Sequence, residues 1–157
     1  MLTMLIIDDE PFERDGVKFL IEKYNLELVT YEADSGENAL EFLKHNQVDI
    51  LFTDIRMKGM DGLQLAEKVR EMQLPMKVIF MSAYGEFEYA QRAIDLKAIR
   101  YILKPVQVEE FLIVVSQVIQ LCEEERKAKA QQERMEVAYR NEVHYEKQKL
   151  LSKLILG

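Results

Sequence analysis

Four apolar runs in this chain each end in a residue able to do chemistry. Leu2 to Ile7 runs into Asp8-Asp9-Glu10, Val48 to Thr53 into Asp54, Lys77 to Met81 into Ser82, and Tyr101 to Leu103 into Lys104. If these ends meet, at least three carboxylates share one crevice, where their mutual repulsion is costly without a cation. Oxygen donors of this hardness select Mg²⁺ or a similar divalent ion, with waters completing an octahedron. The Ser82 hydroxyl and the mobile Lys104 ammonium complete a set suited to a phosphoryl group. Metal and lysine would neutralise its charge while a carboxylate attacks in line. Each residue also has a plainer reading. Asp8 and Asp9 could be acids favoured at a helix start before Pro11. Asp54 could cap a turn in the Lys58–Gly62 loop, Ser82 could cap a helix, and Lys104 could be a solvated surface lysine. Four such residues, each at the carboxyl end of a strand, argue against chance.

The elements that must position them follow from the hydrophobic pattern. Pro11 to Tyr24 spaces Phe12, Val17, Leu20 and Ile21 helically, and Glu27 to Glu32 reads as a second, weaker strand. Ser35-Gly-Glu-Asn is a helix start signal, with Ala39, Leu40 and Leu43 on one face behind it. Asp61 to Met72, Phe87 to Asp95 and a last helix from near Val108 continue the alternation. Near-unbroken apolar strands separated by helices predict βαβ crossovers and a parallel sheet covered on both faces. The expected fold class is therefore α/β, a doubly wound five-stranded parallel sheet with a long C-terminal helical extension; the strand order, which the residues do not state, is taken from the fold class as the flavodoxin-like 2-1-3-4-5. In that order strands 1 and 3 are neighbours, and every strand except the second brings a polar residue to the same edge.

The chain is expected to divide into a domain over residues 1–122 and a helical linker over 123–157. No Gly or Pro interrupts it between Val108 and Gly157, and Phe111, Leu112, Val115, Val118 and Ile119 give the first part of the last helix a packing face. Beyond Cys122, good helix formers predominate. Met135, Ala138 and Tyr145 fall at a/d-like spacing, but Glu142 interrupts the seam, so a coiled coil is left open.

Composition sets the outer bounds. A chain of 157 residues, 48% hydrophobic and 31% charged, suits one globular domain with a short appendage. Residues 123–157 carry eight Lys/Arg and seven Asp/Glu, so removing that +1 from the total of −7 leaves −8 on residues 1–122. Neither part reads as a nucleic-acid surface. The start has no basic n-region and no long apolar core, so neither a signal peptide nor a membrane span is expected there. The lone Cys122 cannot form an internal disulfide, so a reducing cytoplasm is expected.

Ile7-Asp-Asp-Glu-Pro11, Thr53-Asp-Ile-Arg-Met57, Gly59-Met-Asp-Gly62, Met81-Ser-Ala83 and Leu103-Lys-Pro105 closely resemble the signature segments of the receiver domains of two-component response regulators. The resemblance runs from about residue 3 to 122. It implies that Asp54 is the phosphoacceptor for a sensor histidine kinase. It implies a Mg²⁺ (or Mn²⁺) site with Asp9 as direct ligand, Asp8 acting through water, and Asp54 and the Arg56 backbone carbonyl completing the protein's share. Ser82, the Ala83 N–H and Lys104 would hold the phosphoryl oxygens, Lys104-Pro105 would be a cis peptide, and Tyr101 with Ser82 would form the switch. Arg56 and Tyr84 would stand beside the phosphate and tune its hydrolysis. Lys58 departs from the family in replacing the proline usual before Gly59.

The Tyr84-Gly-Glu-Phe-Glu-Tyr-Ala90 segment is similar to receivers that precede AraC-type (YesN-like) helix-turn-helix output domains, which regulate transcription. Such an output is expected beyond Gly157, so the chain reads as part of a longer protein. The resemblance further implies a homodimer through the face of the fourth helix, fifth strand and fifth helix together with the C-terminal helix. Direct nucleic-acid binding by these residues and membrane contact are not expected. The chain is then a signalling domain and no enzyme beyond its own phosphorylation and slow dephosphorylation.

Three alternatives stand beside this. Mg²⁺-dependent phosphohydrolases of the haloacid dehalogenase type also use an Asp nucleophile, but carry a second Asp two positions later. Here Arg56 follows Asp54 and Glu10 follows Asp8 at that distance. A nucleotide- or flavin-binding module would need glycines after strand 1, where Asp8-Asp9-Glu10-Pro11 repels phosphate unless a cation intervenes. A receiver-like module independent of phosphorylation is opposed by the complete set of Asp8, Asp9, Asp54, Ser82 and Lys104.

Overall fold

The first strand, β1 (Leu2–Ile7), is buried along almost its whole length because both of its faces are covered. In a computed structural model of the chain, which describes residues 1–83 and 100–156, it is followed by α1 (Pro11–Lys23), β2 (Leu28–Ala33), α2 (Gly36–His45), β3 (Ile50–Asp54), α3 (Gly62–Glu71), β4 (Lys77–Ala83), β5 (Arg100–Lys104) and α4 (Val108–Leu156). The strands pair in the order β2-β1-β3-β4-β5, the order expected of the flavodoxin-like class, and all are parallel, as the pattern of apolar runs predicts. The helix expected over Phe87–Asp95 lies outside the described residues.

Alternation along the buried strands assigns the two faces. Leu5, Ile7 and Leu51 point to one side, where they pack with Ala39 and Leu43 of α2 and Leu65 and Val69 of α3. Phe80 continues that face against Leu63 and Ala66, with the partly buried Tyr101 beside them. On the opposite face Phe52 meets Phe111 of α4 edge-on, the ring centroids 5.8 Å apart. The α1 helix buries Val17 and Ile21, whereas Phe12, about 140° and 180° around the helix from them, stands out in solvent.

Helix starts are set by side chains that satisfy orphan amides. Ser35 Oγ accepts from Asn38 N at 3.0 Å to open α2. Asp61 and Gln64 form a reciprocal capping box at α3, with bonds of 2.8 and 3.0 Å. Asp61→Ala is expected to cost about 1 kcal/mol in denaturant unfolding, and an unchanged midpoint would show that the cap contributes nothing. Its value here is positional, since α3 follows directly on the loop that leaves Asp54.

Contacts divide the chain into two units, Met1–Gln120 and Leu121–Gly157. Within the first, α4 buries Phe111, Val114, Val115 and Val118. Within the second, every residue from Glu123 to Ile155 is exposed, Met135, Val137, Tyr139, Tyr145, Leu150 and Leu154 among them. Among the described residues no helix is long and apolar enough to cross a membrane.

Candidate functional site

The sheet register brings the strand ends together. Ile7 lies beside Thr53, so the next residues, Asp8 and Asp54, leave β1 and β3 side by side. Asp54 pairs with Met81 and Ala83 with Lys104, which carries Ser82 and Lys104 to the same edge. One carboxylate oxygen from each of Asp8, Asp9 and Asp54 lies within 4.8 Å of the others. Asp8 and Asp54 are buried, whereas Asp9 is exposed.

Lys104 bridges the two buried acids, its Nζ 3.2 Å from Asp54 Oδ2 and 3.3 Å from Asp8 Oδ2. Two carboxylates thus share one ammonium, and burial and mutual charge shift all three groups. Burial pushes the Asp54 carboxyl up to about 6; the Lys104 charge opposes this and the Asp8 charge adds to it. Burial likewise raises Asp8, against the pull of the Glu10 amide and of Lys104. Burial by itself would lower Lys104, but the neighbouring Asp54 and Asp8 outweigh it and hold its ammonium above the ordinary value. The site therefore has more negative charge than its lysine can balance.

Ser82 Oγ is fully buried and has no hydrogen-bond partner among the described residues. An orphaned hydroxyl costs roughly 1–3 kcal/mol, and native structures tolerate few unless an acceptor arrives. Three clustered oxygen donors, an excess of negative charge and an unpartnered hydroxyl fit a divalent cation of the Mg²⁺ type and an oxyanion beside it.

Of the other expected residues, Arg56 has an exposed side chain in the loop after β3, and Ala83 is exposed at the end of β4. Tyr101 pairs with Phe80 on the face that also carries Ser82. The Lys104–Pro105 peptide is cis, as expected. Tyr84 lies outside the described residues.

Three further residues to which the sequence gives no role shape the site, Gly62 standing there only within the Gly59-Met-Asp-Gly62 segment. Gly62 packs so closely that a Cβ there would lie 2.2 Å from the Asp54 carbonyl oxygen and 3.0 Å from Ile55 Cα. Its N–H donates to the Ile55 carbonyl at 2.8 Å. Glu37, opening α2, accepts from the Met60 N–H at 2.8 Å; that bond holds its carboxyl below the usual range and ties the loop after β3 to α2. Arg14 donates to the Asp8 carbonyl at 2.6 Å. A glycine closing the Asp54 loop was the one visible signal; the other two contacts join segments whose approach no local pattern announces.

A family model described as the response regulator receiver domain matches residues 4–116. The LytT sensory transduction protein of Bacillus anthracis is 38% identical over 112 residues, covering 71% of this chain and 45% of that protein. The transcriptional regulatory protein YesN of Bacillus subtilis is 35% identical over 120 residues, covering 76% and 33% respectively. The receiver domain of AraT, a response regulator from Geobacillus stearothermophilus, is 42% identical with a TM-score of 0.69, covering 80% of this chain and 98% of that one. A two-component transcriptional regulator AraC from Clostridium phytofermentans is 38% identical with a TM-score of 0.71, at the same coverage of 80% and 98%. The chain spans less than half the length of the curated relatives it matches.

Proposed function

The chain belongs to the receiver domain family of two-component response regulators, and from that premise we propose that it accepts a phosphoryl group on Asp54 from a sensor histidine kinase. The observation that carries the reading is one ammonium shared between two buried carboxylates at the edge where Ser82 Oγ stands unpartnered among the described residues. Asp54 is the nucleophile. Its Oδ bonds to phosphorus as the bond to the donor's leaving group breaks, giving an acyl phosphate. Lys104, already within ion-pair distance of Asp54, shifts its ammonium onto a phosphoryl oxygen, and Ser82 donates its hydroxyl to another. The Ala83 N–H supplies a further donor beside Ser82.

Asp9, Asp54 and the Arg56 carbonyl would hold Mg²⁺ (or Mn²⁺), with Asp8 acting through water. When bound, the ion neutralises charge on the carboxylates and on the transferring group. The single exposed acid of the three, Asp9, is then the direct ligand most easily tested. Asp9→Ala is expected to weaken Mg²⁺ binding by at least about tenfold and to stop Mg²⁺-dependent phosphorylation by acetyl phosphate, with the fold retained. Titration calorimetry of both chains checks this; equal affinity would mean that the ligands lie elsewhere.

Signal output is proposed to run through Ser82 and Tyr101. Ser82 and Tyr101 share a sheet face, so a hydroxyl drawn toward a phosphoryl group alters the packing that Tyr101 sees. The consequence is a population shift between two packings and not a new fold, expressed as dimerisation through β5, α4 and the helix expected over Phe87–Asp95. The tail over residues 123–157 would then act as the linker, as a coiled coil once dimerised. Arg56 and Tyr84 would shield the phosphoryl group from water. The similarity to the Clostridium phytofermentans regulator favours an AraC-type transcriptional output, and the protein would act in the cytoplasm. Sequencing the gene past the Gly157 codon tests this, and anything other than a helix-turn-helix there rejects it.

A further inference from the structure

We infer that Arg14 is a positioning residue that aims Asp9 by fixing the peptide between Asp8 and Asp9. This deepens, and rests on, the reading that Asp9 is the direct ligand of a divalent ion. The ladder between β1 and β2 ends where Asp8 N donates to the Ala33 carbonyl at 3.3 Å. Beyond Ala33 the chain turns into Ser35, the N-cap of α2, so β2 offers no further amide to the Asp8 carbonyl. Arg14 fills that gap from α1. Its Nη1 donates to the Asp8 carbonyl at 2.6 Å while its Nε binds Glu32 Oε1 at 3.3 Å.

Glu32 is held from the next turn of α1 as well, by Lys18 at 3.2 Å. The Arg14 side chain is only 15% exposed, so the fork is sheltered from competing water. A guanidinium suits this role because its donors are rigidly coplanar, and one fork can serve a carbonyl and a carboxylate together.

The geometric consequence follows from peptide planarity. The Asp8 carbonyl and the Asp9 N–H belong to one plane, so fixing the first fixes the direction in which Asp9 leaves β1. The Asp8 side chain is already committed, Oδ1 to the Glu10 N–H at 3.0 Å and Oδ2 to Lys104 at 3.3 Å. Asp9 has an exposed side chain, and its aim depends on the backbone that Arg14 holds.

Charge and position make opposite predictions here. Removing a cation beside three acids should tighten Mg²⁺ binding if Arg14 acts only through its charge. If it positions Asp9, Arg14→Met should weaken Mg²⁺ binding, by about tenfold as for other groups that orient a ligand. Arg14→Lys keeps the charge but loses the fork, and is expected between the two. Calorimetric titration of the full chain with MgCl2 reads the affinities, and thermal melts check folding. Should Arg14→Met fail to fold, Arg14→Lys decides, because at equal charge it must still bind more weakly than the native chain. The amide resonances of Asp9 and Glu10 in metal-free protein give a second readout, expected to shift in Arg14→Lys and not in Lys18→Met. Affinity equal to or tighter than native in both Arg14 variants, or unmoved resonances, overturns the inference. Absence of Mg²⁺ binding by the native chain, or unchanged binding in Asp9→Ala, rejects the metal site itself and the inference with it.

Discussion

Asp54→Asn is expected to abolish phosphoryl uptake altogether and, at the same time, to make the metal-free chain more stable near neutral pH. The first effect follows from loss of the nucleophile: an amide oxygen does not form the acyl phosphate. Intact-mass measurement after exposure to acetyl phosphate and Mg²⁺ should find one added phosphoryl group in the native chain and none in the variant. Equal labelling of both would falsify the assignment. The second effect follows from burial, which pushes the Asp54 carboxyl from 3.8 up to about 6. Between about pH 4 and about pH 6 the folded chain holds a proton that the unfolded chain has released, so its stability falls as pH rises through that window. The loss is complete above it. At about 1.4 kcal/mol per unit, and with Lys104 and partial hydration softening the site, roughly 1–3 kcal/mol is at stake. The neutral amide of Asp54→Asn bears no such cost, and Lys104 still has Asp8. Urea unfolding at pH 4 and pH 7.5 should therefore show similar stabilities at the lower pH and a more stable variant at the higher. A native chain as stable as the variant at pH 7.5 would mean that the buried acid is fully compensated.

Gly62→Ala is expected to damage the fold and the chemistry together. The added Cβ would meet the Asp54 carbonyl oxygen at 2.2 Å and Ile55 Cα at 3.0 Å. Both are backbone atoms at the end of the central strand, so neither can turn aside as a side chain would. The strand end or the start of α3 must move, against the Gly62 N–H bond to Ile55 at 2.8 Å and the Ile55 N–H bond to Met81 at 3.0 Å. Overpacking of this kind costs about 1–3 kcal/mol and at times more. Because the clash falls on Asp54 itself, a displacement on the order of 1 Å should slow phosphorylation by about 10²-fold. Denaturant midpoints and the rate of mass gain measure the two effects. A variant of native stability and native rate would show that the close approach is relieved without disturbing Asp54.

The parallel sheet, its alternation with helices and the residue at each strand's carboxyl end are all legible in the order of residues. Parallel strands buried on both faces are apolar almost throughout, so an acid, hydroxyl or ammonium that ends such a run stands out, as Asp8, Asp54, Ser82 and Lys104 do. Helix starts are legible too, because the cap at Ser35 and the box at Asp61 and Gln64 are local. Which of these groups touch is settled by the folded chain alone. The bridge from Lys104 to Asp8 spans 96 residues of chain and depends on the register of four strands. Arg14 and Glu37 act on the Asp8 carbonyl and the Met60 amide, and Gly62 on the Ile55 carbonyl of its own loop, and a backbone group leaves no mark in the identity of its residue. Phe12 gives the converse case: it is apolar and lies in α1, yet it stands about 180° around the helix from the buried Ile21 and shares the exposed side with Phe19. Periodicity reports which side of an element is apolar, whereas contact depends on what the rest of the chain brings to that side.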